Sequence, residues 1–163
     1  MAGLCVVAAQ AANQPQVSAQ DVNYLQSSIS GDRFEIIGGR IAMSKSSDSA
    51  VRRLAQRLIM DHTKSLHEAM SIAKQLNVKA PDAPTPSEVW ELNTVRSLSG
   101  STFDASYSTL EFKDHQQDIE ETTFETMHGA SAMVKADAKK DLPVLKRHLA
   151  LARTATQSLG LSY

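Results

Sequence analysis

Residues 51–76 read VRRLAQRLIMDHTKSLHEAMSIAKQL, with Val51, Ala55, Leu58, Leu66, Ala69, Ala73 and Leu76 recurring at helical spacing on one stripe. Arg53, Arg57, Lys64 and Lys74 take the other side, so the segment predicts a long amphipathic helix. His62 and Ser65 fall on the apolar stripe, and the helix therefore carries an imidazole toward whatever it packs on. One such helix cannot cover its own apolar stripe, which makes partner helices obligatory.

Those partners are found on either side. Residues 20–43 place Val22, Leu25, Ile29, Ile36 and Met43 at helical spacing, and the polar residues 44–49 supply the turn between the two helices. After residue 76, the run PDAPTP at 81–86 cannot continue a helix, because each proline lacks an amide donor and clashes with the preceding turn. It predicts a crossover linker. Ser87 and Glu88 then open a short amphipathic stretch with Val89, Trp90, Leu92, Val95 and Leu98, ended by Gly100 and expected across the bundle end with Trp90 as its anchor. Ser101 is expected to cap a third long helix holding Phe103, Tyr107, Leu110, Phe112, Ile119, Phe124 and Met127, which stops at Gly129. The last run, 132–159, carries Val134, Ala138, Leu142, Leu145, Leu149, Ala152 and Leu159, with Gly160 just beyond. Pro143 inside it predicts a kink or a restart.

The second pair of long helices echoes the first. Adding 83 to Tyr24, Ile29, Ile36, Val51, Ala55, Ile59, Leu66, Ala69 and Leu76 gives Tyr107, Phe112, Ile119, Val134, Ala138, Leu142, Leu149, Ala152 and Leu159. Two such hairpins stacked through a long crossover predict an all-α four-helix bundle. The 163 residues suffice for one domain, and the low counts of glycine (7) and proline (5) suit helices. With 17 basic and 18 acidic residues the formal charge is -1, which gives no pull toward nucleic acid or an anionic membrane. A single cysteine, Cys5, excludes an intramolecular disulfide and any cysteine-rich metal site, so a metal here must use His, Asp and Glu.

The unusual feature is the polarity of a core-facing stripe. If Tyr107, Leu110 and Phe112 face the core, then helical steps bring Glu111, His115, Asp118 and Thr122 toward it as well. An unpaired buried carboxylate costs several kcal/mol, so these groups must meet a cation, a hydrogen-bond partner or water. Counting from turns near Ser46 and Gly129 puts Asp32 closer in level to His62 than Glu35 is, and puts His148 level with Glu111. A neutral imidazole with two or three carboxylates suits iron, zinc, copper or manganese. The candidate ligands are Glu35, His62, His115 and His148, with Asp32, Glu111 and Asp118 in reserve. The alternative is a metal-free core in which Asp32, Glu35 or Asp118 satisfies the histidines by hydrogen bonds.

Other residues point elsewhere. His67 lies on the charged face, and His128 sits beside the Gly129 turn as a helix-end cap. In Asp61-His62 and Asp114-His115, neighbours point about 100 degrees apart, so at most one member of each pair is expected to face inward, with the aspartate orienting a neighbour or simply in water. Met43, Met60, Met70, Met127 and Met133 read as core filler. No phosphate loop, nucleophile elbow or paired nucleophile and base is present, so hydrolase chemistry has no support.

The stretches FEIIGGRIA (34–42), VRRLAQRLIMDH (51–62), FDASY (103–107), KDHQ (113–116) and LPVLKRHL (142–149) resemble the bacterial family catalogued as domain of unknown function four-one-four-two. The resemblance runs over nearly the whole chain after residue 18. It implies a ferritin-like bundle and an exported protein. It does not carry over a di-iron site, since Glu-x-x-His is absent: Ile59, Phe112 and Leu145 precede His62, His115 and His148 by three residues.

Residues 1–18 are read as the remnant of an export signal or a disordered tail. The apolar AGLCVVAA (2–9) meets a small-x-small site at Ala9-Gln10-Ala11, and no basic segment precedes it. Residues 19–163 are read as a single domain, periplasmic or otherwise exported, and cytoplasmic if the N-terminal segment is not a signal. No apolar run approaches the roughly 20 residues of a membrane helix. The expected function is transition-metal binding, in metal handling or stress protection, rather than turnover. The rivals are a metal-dependent oxidase acting on oxygen or peroxide and a metal-free interaction module. A metal ion is the expected partner, and a homodimer is compatible with the sequence.

Overall fold

The computed structural model describes residues 17–161. The expected export remnant therefore lies outside the described residues, apart from Val17 and Ser18. Five helices follow: α1 (Ala19–Lys45), α2 (Ser49–Gln75), α3 (Pro86–Ser97), α4 (Gly100–His128) and α5 (Ala132–Ser158). The protein is an all-α bundle.

The caps explain where the helices begin. Ser18 and Asp21 form a capping box on α1, Thr85 and Glu88 form another on α3, and Pro86 stands at the first turn of α3. Asp48 accepts from the amides of Ala50 and Val51 at 2.8 and 3.0 Å, and Ser131 accepts from Val134 at 3.4 Å. α4 departs from expectation at its start. It begins at Gly100, after an N-cap Ser99 that makes no side-chain cap bond, so Ser101 lies inside the helix. α5 runs through Pro143 as one helix, so the restart expected there does not occur.

α1 pairs with α2 and α4 with α5; α2 then packs on α5 and α1 on α4, with α3 against α1 and α4. Ends fix the directions. Lys45 at the end of α1 donates to the carbonyl of Leu98 (2.8 Å) just before α4, and Asp21 near the start of α1 accepts from the amide of Ser131 (3.0 Å) just before α5. Adjacent helices are thus antiparallel, and the crossover must climb the length of the bundle. It does so along α1: Gln26 donates to Lys79 O (2.9 Å), Arg33 to Pro81 O (3.1 Å) and Ser30 to Glu88 (2.6 Å).

The apolar core is divided. One cluster holds Phe34, Leu54, Leu58, Phe103, Tyr107 and Phe112, and the other holds Tyr24, Leu25, Ile29, Ile72 and Val134. The 83-residue offset exchanges them: Tyr24, Ile29 and Ala69 of one cluster map to Tyr107, Phe112 and Ala152 of the other, and Val134 and Ala138 map back to Val51 and Ala55. Because α1 and α4 are antiparallel, the repeat behaves as a pseudo two-fold through the middle of the bundle, where the buried polar residues lie.

Several expected core residues are outside it. Trp90 is 68% exposed and does not anchor α3, a task that falls to the buried Leu92 and Val95. Phe124 and four of the five methionines assigned to the core, Met60, Met70, Met127 and Met133, are exposed. They sit on the outward parts of their helices, because each helix of a four-membered bundle buries only part of its circumference. His67 is exposed as expected, and His128 is exposed with its ring against Phe124 at 4.3 Å between centroids.

Candidate metal centre

Three buried histidines meet between the two apolar clusters, His62 from α2, His115 from α4 and His148 from α5. Their ring centroids are separated by 5.8 Å (62 to 115), 5.0 Å (62 to 148) and 5.2 Å (115 to 148). One nitrogen from each lies within 4.8 Å of the others, so the group can hold a metal ion.

The hydrogen bonds sort the six ring nitrogens. His62 Nδ1 is 2.7 Å from Asp32 Oδ1, His115 Nδ1 is 2.9 Å from the carbonyl of Glu111, and His148 Nε2 is 2.9 Å from Asp61 Oδ2. Each of those nitrogens faces an oxygen acceptor and so carries the proton. The remaining three are His62 Nε2, His115 Nε2 and His148 Nδ1. His62 Nε2 is buried without a hydrogen-bond partner among the described residues, and the other two face each other at 3.2 Å. An oxygen behind each imidazole is the arrangement that orients histidines around a metal.

Carboxyls crowd the same level. Glu35 Oε1 and Glu111 Oε2 stand 3.9 and 3.8 Å from His115 Nδ1, and Glu35, Asp114 and His115 form a second group with metal-ligating geometry. Both oxygens of Glu35 and both of Glu111 are buried without a hydrogen-bond partner among the described residues. Burial, then the negative charge of Glu111 and Asp114, pushes Glu35 well above the usual carboxylate range. Burial likewise lifts Glu111 to about 7 and raises Asp114. Among the described residues no lysine or arginine is buried. The layer is short of positive charge.

The histidines respond to that field differently. Burial pushes His62 down, but its hydrogen bond to Asp32 and the charges of Asp32, Glu111 and Asp114 outweigh this and raise it. Burial and the charges of His62 and His148 hold His115 well below the ordinary imidazole range. Burial and the charge of His62 bring His148 to about 4, despite Asp61. At neutral pH His115 and His148 are therefore neutral, the form in which imidazole binds a metal.

The sequence-derived residues are distributed as follows. His62, His115 and His148 converge; Asp32 holds His62; Glu35 and Glu111 flank His115. Asp118 is half-buried and lines a cleft of about 200 Å³ that reaches His62 and His148 from solvent. Asp32 and His62 sit level, as their distances from the turn indicate, whereas His148 meets His115 rather than Glu111. That is one helical turn from the expected level, and the aspartates of the two Asp-His dipeptides correct a second expectation. Asp61 holds His148, and Asp114 joins Glu35 and His115, so both members of each dipeptide reach the layer. A bundle helix touches two neighbours, so residues 100 degrees apart can each find one. The repeated Asp-His dipeptide was the available signal for both. Arg57 in turn braces Asp61 at 2.6 Å, and although burial pushes the Asp61 carboxyl up, His148 and Arg57 hold it below its ordinary value.

Together these features define a helical-bundle protein with a buried, histidine-centred polar layer competent to hold a metal ion. The chain belongs to the family described as Domain of unknown function (DUF4142), whose model matches residues 6–155. Its fold is similar to that in the crystal structure of a DUF305 fragment from Deinococcus radiodurans: TM-score 0.75, 15% identity, covering 90% of this chain and 99% of that one. No curated protein matches the sequence. No helix among the described residues is long and apolar enough to cross a membrane.

Proposed function

We propose that this protein is an exported metal-binding bundle that holds one transition-metal ion at His62, His115 and His148, serving metal handling or stress protection rather than turnover. One observation carries the reading. The three imidazoles each spend one nitrogen on an oxygen acceptor and direct the other toward a shared, buried point. If His115 and His148 are both protonated outward, no proton is left for the 3.2 Å contact between His115 Nε2 and His148 Nδ1, and two lone pairs oppose each other. A cation removes that repulsion and offsets the charge of Glu35, Glu111, Asp114 and Asp32. Imidazole donors favour zinc, copper or iron, and the neighbouring carboxyls extend the choice to manganese. Export rests on the apolar residues 2–9, the Ala-Gln-Ala that follows and the family resemblance.

The test is titration of chelator-treated protein with Zn2+, Cu2+, Fe2+ and Mn2+ by calorimetry, with elemental analysis of the product. One ion per chain is expected for at least one metal, and His115→Ala is expected to weaken it by more than about 100-fold. The absence of stoichiometric uptake of any of the four, or equal affinity in His115→Ala, would establish a metal-free polar core instead.

A further inference from the structure

We propose that the cleft beside Gly31 is the route by which a hydrated divalent cation reaches the histidine cluster, with Asp118, Asp141 and the free oxygen of Asp32 as staging carboxylates. This rests on the metal-binding reading above.

Four observations bear on it. The cleft draws its walls from α1, α2, α4 and α5, and His62 and His148 are among them, so it meets the cluster at the level of the polar layer. Gly31 lies in the interior of α1, where glycine costs about 1 kcal/mol relative to alanine. No packing demands it, since an added Cβ would meet nothing within 4 Å; what its missing side chain leaves open is the cleft. Asp32 uses Oδ1 to hold His62, while its Oδ2 is buried without a hydrogen-bond partner among the described residues. Asp118 and Asp141, on the same walls, make no hydrogen bond or ion pair with the described residues.

Six carboxyls share the cleft walls with four cations, and three of the four, Arg57, Lys64 and Lys140, are held by other partners, which leaves Arg147. Arg57 is engaged by Asp61 at 2.6 Å, and Lys64 and Lys140 by Glu68 at 3.8 and 3.7 Å. The walls thus carry an excess of carboxyls; burial raises Asp118 and Asp141, and an approaching cation favours their charged forms, so the cleft can concentrate cations and raise association rates by about 10 to 1,000-fold. Asp118 and Asp141 belong to neither group of side chains close enough to chelate an ion with the histidines. They act on an ion that still holds its water, and the histidines replace that water afterwards.

The experiment uses Co2+ as probe, following its visible absorption by stopped flow on loading and on removal by excess chelator. Asp118→Asn with Asp141→Asn is expected to slow loading about tenfold or more at low salt, with the equilibrium affinity within about twofold of wild type. Gly31→Leu, which improves helix propensity and so keeps the fold, is expected to slow loading and removal together and leave affinity unchanged. Wild-type loading rates in both variants overturn the inference while leaving the metal site standing. Loss of affinity in step with rate in the double variant also overturns it, since those aspartates would then be ligands. A wild-type protein that takes up no Co2+ overturns this inference, whereas the proposed function falls only if Zn2+, Cu2+, Fe2+ and Mn2+ are not taken up either.

Discussion

Under the 83-residue offset, α2 and α5 share both boundaries, Ser49 with Ala132 and Gln75 with Ser158, and α1 and α4 end at matching residues, Lys45 and His128. Val51 and Val134, and Ala55 and Ala138, are pairs of fully buried residues. In the middle of the bundle the correspondence stops. His62 maps to Leu145, His148 to Ser65, Asp32 to His115 and Glu35 to Asp118. The apolar ends repeat because burial of apolar area is what makes each hairpin stick to the other. The middle does not repeat because its residues meet a different demand, a single off-centre set of ligands rather than two equivalent ones. Scaffold and site are therefore separable by mutation.

The sharpest way to break that comparison is to make the halves alike. His148→Ser gives α5 the residue that α2 carries at Ser65, and Asp61 keeps Arg57 at 2.6 Å as its partner. Metal affinity is expected to fall by more than about 100-fold, with helicity by circular dichroism unchanged. Tight stoichiometric uptake in this variant would show that the asymmetry of the middle has nothing to do with metal.

Stability should respond in opposite senses at the ends and in the middle. Ile29→Ala and its counterpart Phe112→Ala each remove a buried apolar side chain and are expected to lower unfolding free energy by about 2–5 kcal/mol. Glu35→Leu removes a buried carboxyl that has no hydrogen-bond partner among the described residues, and is expected to stabilise the metal-free protein by about 1–4 kcal/mol. Urea midpoints of metal-free protein measure both. A destabilised Glu35→Leu would mean that the layer holds the fold together.

The sequence made the scaffold legible through period and punctuation: the stripe of residues 51–76, the three prolines after Ala80 and the recurrence at 83 residues locate the helices to within a few positions. The three histidines were legible too, because each falls on an apolar stripe. What escaped was lateral. Asp61 and Asp114 act across to a neighbouring helix, and a one-dimensional period cannot say which neighbour a flank residue meets. Trp90 escaped for the related reason that hydrophobicity alone does not report whether another helix lies alongside; α3 presents it to solvent.

Asp21 and its counterpart Asp104 extend the comparison to pH. Asp21 accepts from Ser18, from Ser131 (3.0 Å) and from Ala130 (3.3 Å), tying the start of α1 to the α4–α5 turn, whereas Asp104 Oδ1 is buried without a hydrogen-bond partner among the described residues. Burial pushes the Asp21 carboxyl up, but the bonds from Ser18 and Ser131 outweigh it and hold it at about 2. A folded-state value below the unfolded one gives stability that is present above about pH 4 and lost as the pH falls toward 2, here about 2 kcal/mol. Thermal melts from pH 5 to 2 are expected to flatten in Asp21→Asn.

The smallest expected difference lies where the helix pairs end. Asn77 and Gly160 occupy equivalent positions after α2 and α5 and both take positive φ, 55° and 75°. Each is followed by the same bond: Val78 N to Ala73 O at 2.8 Å and Leu161 N to Thr156 O at 3.0 Å. The left-handed conformation crowds a Cβ against the following carbonyl by about 1–2 kcal/mol, and asparagine escapes part of this. Space is not the issue at Gly160, where an added Cβ would meet nothing within 4 Å. Gly160→Ala is therefore expected to lower stability by about 1 kcal/mol through φ alone, and Asn77→Gly to change it by only a few tenths. Equal and opposite shifts in the two melts would instead mean that the Asn77 side chain bears the full strain, and that the two exits from the bundle, alike in geometry, are unlike in energy.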